Sequence, residues 1–480
     1  MYSLGRASLI VRKMDASAGR LSVFDDVVRK NFYIRFFYAL YEKSPGFLKT
    51  TLLIIYGLKC YLSVNWASRA EGEIAFFASY PNERVALDHL RRNLPELSAA
   101  ELTISRRNCL GWPALAALPA FLACVARLWP LAARLSRRLH FMPACRVFST
   151  TAFYLRFGRL LKQRRAQAVF IANHYSPECL ALAAAAHRQG GKVLFVNHAN
   201  ATGNKVYAPP LHCDLAALTG QGVLDAYMEN GRPPVNAVFI PPTSPQAQMR
   251  SHFNPEGGLS VGIFLTALTD MARLEALVAQ LLESPRVARV LIRPHPVKVI
   301  NEDLSGLCTA DGRVQETGGS LLIDDVRLCD LAICGNSTAT IEVLRGGLPV
   351  FYDAALDSCG HDLNGHLHRK LVPPLPERLD EAALEAVAAF YDDPDWLGRM
   401  RYFDASYRGD EAEMFRRLAV GIRETLQDSG LAPLLLTPAA APAAQDEAQD
   451  EATAAAEEPR RAEAGEKPEA RPWTGRRLSG

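Results

Sequence analysis

The chain has 480 residues, of which 22% are charged and 49% hydrophobic, with a formal net charge of +3 and a pI near 8.3. Even without its tail that is enough for two domains with full cores, and so mild a basic excess excludes a global field for nucleic acid. The ten cysteines are scattered, with no C-x-x-C pair, which excludes a disulfide framework and reads as reduced core residues.

Met1–Arg20 carries Arg6, Arg12, Lys13 and Arg20 with no long apolar core, so no signal peptide is expected and a cytoplasmic location follows. Residues 1–70 form a basic and aromatic segment, with RKNFYIRFFYALYEK from Arg29 to Lys43 and the apolar run TLLIIYGLKCYLSVNW from Thr51 to Trp66. From Ile74–Phe77 onward, strand-like and helix-like segments alternate. The strand-like ones include Val169–Ala172, Val193–Val196, Val238–Ile240, Val261–Phe264 and Val290–Ile292. Such alternation predicts an α/β fold of parallel sheets covered by helices. The Pro- and Gly-rich stretch 241–258 breaks the pattern and predicts a linker between one Rossmann-like domain at 71–240 and another at 259–438. The Ala/Glu/Pro/Arg tail at 439–480 is too poor in apolar residues to offset ordering and is expected to be disordered.

Inside the first domain, Leu110–Ala126 is uncharged for seventeen residues and then meets Arg127, Trp129, Arg134, Arg137 and Arg138. It is at the short edge of a spanning helix, and Pro113 and Pro119 weaken that reading. A surface-lying helical hairpin over 110–138, its basic flank on anionic lipid, is expected; the alternative is an ordinary buried helix.

Two motifs follow apolar runs some forty residues apart. Arg293-Pro294-His295-Pro296 ends Val287–Ile292, and Gly335-Asn336-Ser337-Thr338 ends Leu331–Cys334. Ligands in open α/β sheets bind outside the carboxyl ends of strands. Arg293 and Lys298 can neutralise phosphate oxygens, and His295, braced by Pro294 and Pro296, can donate a hydrogen bond or proton to a departing phosphate. Asn336, Ser337 and Thr338 precede a helical pattern, offering backbone N–H groups and hydroxyls to an anion. In the amino-terminal half, His174 in ANHYSPE and His198 in NHANATGN end strands, and Glu178 lies four residues after His174. Each is a candidate general base for an alcohol nucleophile.

RPHP followed by GNSTATIEVLRGGLPVFYD resembles the carboxyl-terminal half of bacterial GT-B enzymes that use cytidine-activated donors: capsule Kdo transferases, bacterial sialyltransferases and CDP-glycerol glycerophosphotransferases. The resemblance is clearest over about residues 285–355 and weaker over 165–225. It implies two Rossmann-like domains facing across a cleft, a nucleotide phosphate held by His295, Pro296, Ser337 and Thr338, and a ribose held by Glu342. It also implies His198 as the first choice of base, a glycan or lipid-linked acceptor at the cytoplasmic face of the inner membrane, and no bound metal or other cofactor. The acidic D/E-D/E-G motif of sialyltransferases has no clear equivalent here. Transfer of a polyol phosphate from a CDP donor, and a non-catalytic accessory role in polysaccharide assembly, are the alternatives. Neither Gly-x-Gly-x-x-Gly after a strand nor a Walker A loop occurs, which argues against a standard dinucleotide or P-loop enzyme. His361, Asp362, His366 and His368 read as a loop rather than a metal site.

Overall fold

The computed structural model describes residues 32–67, 74–97, 99–164, 166–198, 211–229, 234, 236–254, 257–266, 269–295, 304–318, 321–357, 360 and 362–427. Pro296, Lys298, most of the basic opening segment and the tail from 439 lie outside them.

The first sheet arises from α1 (Phe32–Lys43), α2 (Gly46–Ser63), β1 (Val64–Trp66), β2 (Ile74–Phe77), α3 (Pro81–Asn93), β3 (Ala99–Ile104), α4 (Trp112–Arg138), α5 (Phe141–Arg164), β4 (Ala168–Ile171), α6 (Pro177–Arg188), β5 (Lys192–Val196), β6 (Leu215–Leu218), α7 (Gln221–Glu229) and β7 (Asn236–Phe239). Its order is β1-β3-β2-β4-β5-β6-β7, parallel throughout except where β1 joins β3. The second comprises β8 (Leu259–Phe264), α8 (Met271–Glu283), β9 (Val287–Arg293), α9 (Ser305–Ala310), β10 (Val314–Glu316), α10 (Leu322–Arg327), β11 (Leu331–Cys334), α11 (Ala339–Arg345) and β12 (Val350–Tyr352), followed by α12 (Glu381–Asp392), α13 (Trp396–Phe403) and α14 (Glu411–Gln427). All five of its strands are parallel, in the order β10-β9-β8-β11-β12. The fold is therefore α/β with two Rossmann-like units, the GT-B arrangement.

The apolar runs explain the layering. Strands β2, β4, β6, β8 and β11 are buried on both faces, as parallel strands covered by helices must be. Alternate residues serve opposite cores: Ala75, Phe77, Val169 and Ile171 pack towards α2, α4, α5 and α6. Ile74, Phe76, Ala168 and Phe170 pack towards α3 and α14. The last helix thus returns from the second unit to cover the first sheet, burying Phe415, Leu418, Ile422 and Leu426.

Arg345 fastens that return. Its side chain is 1% exposed and donates to the Ser244 carbonyl in the linker (2.5 Å), to Asp404 (2.6 Å) and Ser406 (2.9 Å) beyond α13, and to Glu411 on α14. Nearby, Ala405 N–H donates to the Thr219 carbonyl (2.8 Å), and Tyr402 Oη donates to Asp225 (2.8 Å). Gly220 permits this close approach, since a Cβ there would lie 2.4 Å from the Phe403 carbonyl oxygen. Both sheets fall within one compact unit.

The expected hairpin at 110–138 is instead a single helix, α4. Pro113 occupies its first turn, where no intrahelical N–H is required, and Pro119 and Pro130 are accommodated within it.

Candidate active site

In an open parallel sheet the ligand crevice lies where strand order reverses, outside the carboxyl ends. In the second unit that point is between β8 and β11. Register brings the two motifs level with it, one on each side of β8: Arg293 at the end of β9 and Cys334 at the end of β11 both pair with Phe264 of β8. Arg293-Pro294-His295 and the GNST turn thus leave the sheet at the same level, two interstrand spacings or about 10 Å apart.

Each expected donor among the described residues has a defined place. Arg293 is paired with the buried carboxylate of Asp325 on α10, so its charge is already partly neutralised. Burial raises the Glu342 carboxyl, and Arg293 opposes that rise, which ties the two motifs together electrostatically. His295 is half-buried and its pKa is lowered by burial, so at neutral pH it is a neutral imidazole that can donate one hydrogen bond. Asn336 braces the neighbouring loop: its side-chain oxygen accepts from Tyr352 Oη (2.7 Å) and from Leu363 N–H (2.6 Å), and its carbonyl accepts from Asn364 (3.1 Å). Ser337 Oγ accepts from Ala339 N–H (3.2 Å) at the start of α11. Within the described residues no hydrogen bond claims the N–H groups of Ser337 and Thr338.

A carboxylate bridges the crevice itself. Asp357, 2% exposed, accepts from the Thr266 hydroxyl beyond β8 and from Asn336 N–H beyond β11. Burial raises its pKa, and those two donors oppose the rise. Gly335 makes room, because a Cβ there would lie 2.2 Å from Asp357 Oδ2. The Asn336 N–H of the GNST turn is therefore spent internally, leaving those of Ser337 and Thr338 to meet an anion.

The first sheet reverses between β2 and β4, and a carboxylate bridges that point too. Glu83, fully buried on α3, accepts from Ser79 N–H (2.7 Å) and Tyr80 N–H (3.4 Å) after β2, and from Asn173 Nδ2 (2.9 Å) after β4. Asn173 Oδ1 in turn accepts from Tyr175 N–H (2.8 Å) and Ser176 N–H (3.0 Å), which sets the loop bearing His174. His174 is nearly buried among Tyr175, Phe195 and Tyr227, with Nδ1 3.3 Å from the Tyr227 hydroxyl. Glu178 is half-buried in the first turn of α6, where Arg146 feels its charge. Tyr80 and Tyr175 are exposed at the rim.

His198 lies two residues beyond β5 with Nδ1 against the Ala172 carbonyl. A carbonyl can only accept, so Nδ1 carries the proton and Nε2 is left as the basic nitrogen. Burial lowers the pKa of this ring, keeping it neutral at ordinary pH. The structure thus gathers Arg293, His295, Asn336, Ser337, Thr338 and Glu342 at one crevice, and His174, His198 and Glu178 around the strand ends of the other sheet. Local sequence does not mark Asp325, Asp357 or Asn173 as part of these networks, since each acts through partners on other elements. Glu83 alone had a local signal, as the third residue of a helix opening with proline. In the histidine-rich loop, Asp362 accepts the N–H groups of His366 (3.0 Å), Leu367 (2.8 Å) and His368 (2.9 Å) and so caps a turn.

No family model matches the chain, and no curated protein matches it. Among solved structures it is similar to a protein from Listeria monocytogenes assigned as a UDP-N-acetylglucosamine 2-epimerase, at 11% identity over 75% of this chain and 98% of that one, with a TM-score of 0.47. It is also similar to the UDP-GlcNAc 2-epimerase of Neisseria meningitidis (9%, 73% and 99%, 0.44) and to the lipopolysaccharide outer core galactosyltransferase WaaB (11%, 73% and 98%, 0.40). These likenesses are distant, and the fold rests on the two sheets themselves.

Proposed function

We propose that the protein is an inverting, metal-independent glycosyltransferase that moves a sugar from a cytidine-activated donor to a bacterial surface polysaccharide or its lipid-linked precursor. The observation that carries this reading is the shared pairing of Arg293 and Cys334 with Phe264, which brings Arg293 and the GNST turn to the same level on either side of β8.

In this reading His295 and the N–H groups of Ser337 and Thr338 meet the donor phosphate, and Glu342 meets the ribose. His198 Nε2 removes the proton of the acceptor hydroxyl as its oxygen bonds to the anomeric carbon. The bond from that carbon to the phosphate oxygen breaks, its electron pair stays on the phosphate, and the nucleotide leaves with its growing charge stabilised by donors already in place. The exposed rings of Tyr80 and Tyr175 offer the acceptor sugar an apolar platform.

Incubation with CMP-Kdo, CMP-sialic acid, CDP-glycerol and uridine-linked sugars, with detection of the released nucleotide, tests the proposal. CMP released from a CMP-sugar is the expected result. CMP released only from CDP-glycerol would replace glycosyl by polyol-phosphate transfer, and binding without release from any donor would leave an accessory protein.

A further inference from the structure

Helix α4 is long and apolar enough to cross a membrane by length and composition, yet its packing forbids it. Ala117, Phe121, Leu128, Ala132 and Leu135 are built into the core shared with α2 and α5, and Phe121 packs on Tyr61 with ring centroids 5.2 Å apart. A helix held along one face by the protein can meet a bilayer only with the other.

That other face is unusual for solvent. Trp112, Leu115, Pro119, Leu122 and Ala126 recur at helical spacing, and all are exposed, Trp112 at 80%. The neighbouring helix α2 extends the patch with exposed Ile55 and with Phe47, 72% exposed, whose ring lies 5.4 Å from that of Trp129 on α4. Leu110, just before α4, is 88% exposed.

Charge frames the patch. Continued at the same spacing, the apolar stripe passes into exposed Arg134 and Arg137, with Arg127 and Arg138 beside them and Arg106 and Arg107 at the opposite end. Among the described residues none of these six pairs with a carboxylate. Between Glu101 and Glu178 no acidic residue occurs, while that segment carries twelve Arg or Lys residues.

We infer that the α2–α4 face is a docking surface for an anionic lipid bilayer, in which the apolar stripe enters the headgroup boundary and the arginines lie against lipid phosphates. A patch of exposed aromatic and aliphatic side chains rimmed by unpaired cations has the two components of interfacial binding, burial and attraction to anionic headgroups. A second copy of the chain is the poorer occupant, because pairing this face with itself opposes arginine to arginine. The inference stands apart from the transferase reading, and its test does not depend on turnover.

The full chain is sedimented with vesicles of phosphatidylethanolamine and phosphatidylglycerol, and with phosphatidylcholine alone. Binding to the anionic vesicles is expected, weakened but not abolished in about 1 M salt, where screening leaves a Debye length of about 3 Å. Leu115→Glu combined with Leu122→Glu should cut binding at least about tenfold, since each buried leucine contributes roughly that factor or more, and should leave the thermal melt unchanged. Arg134→Gln, Arg137→Gln and Arg138→Gln should each weaken low-salt binding roughly fivefold. No binding by the wild type, full binding by the glutamate variant, or a glutamate variant that unfolds would each overturn the proposal. So would a wild-type dimer that the glutamate pair dissociates without any vesicle binding.

Discussion

The two sheets are bridged at their reversal points by the same device and surrounded by different chemistry. Glu83 in the first and Asp357 in the second are buried carboxylates that collect donors from both strand ends. Around Glu83 the rim is aromatic and acidic, with Tyr80, Tyr175 and Glu178; around Asp357 it offers His295, Ser337 and Thr338. A buried carboxylate holds the crevice open in each unit, and the residues beyond it decide what enters. An uncharged, ring-shaped ligand suits the first rim and a phosphate the second.

The sharpest break of this comparison is His198→Ala against His295→Ala. On the proposed mechanism His198→Ala should lower turnover by about 10²–10⁴-fold without changing nucleotide affinity, whereas His295→Ala should lower turnover roughly a hundredfold and weaken nucleotide binding too. Single-turnover assays paired with calorimetry separate them. Weakened nucleotide binding in His198→Ala would erase the division of labour.

Arg345→Ala tests what keeps the two rims in one body. Removing the cation strands the buried Asp404, at a cost of about 3–5 kcal/mol, read by denaturant unfolding. A loss below about 1 kcal/mol would mean that the linker and α14 hold without it.

The pH dependence follows from burial. The pKa of each of His198 and His295 is lowered from its ordinary value, and that of His366, fully buried against Phe403, is lowered to about 4. Below about pH 6.5 the unfolded chain takes up protons that these folded imidazoles refuse. Stability is therefore full above that pH and declines as pH falls, for His366 until about 4. His366→Phe should flatten this decline by on the order of 3 kcal/mol, measured by melts across that range. Turnover should stay level through neutrality and fall only in more acidic solution than an ordinary imidazole would require, because burial holds the His198 pKa down.

The smallest effects come from the bridges. Glu83→Gln and Asp357→Asn each turn an amide N–H towards an existing donor and should cost about 1–3 kcal/mol of stability. They should differ in binding: Asp357→Asn removes a negative charge beside the phosphate position and should tighten nucleotide binding, while Glu83→Gln should leave it unchanged. Equal responses to the two substitutions would show that the rims are not specialised.

Much of this was legible along the chain. Runs such as Leu331–Cys334 are short and apolar at every position, as a strand covered on both faces requires. Residues directly after such runs fall at the ligand edge of the sheet, so His198, His295 and the GNST turn could be named from local order alone. The short strands β1, β10 and β12 carry too few residues to declare themselves.

What the tertiary structure decided is who faces whom. The pairing of Arg293 with Asp325, the bridge from Asp357 to two strand ends, and the tautomer of His198 each depend on a residue at least twenty positions away. Nothing in Leu110–Ala126 marks an inside or an outside, because every position is apolar, proline or glycine. Packing against α2 and α5 buried Phe121 and left Trp112, Leu115 and Leu122 to solvent. A local run of residues determines the kind of element it forms, since period and propensity are local properties; the side it presents, and the partner each charge meets, are set by contacts that exist only after the chain has closed on itself.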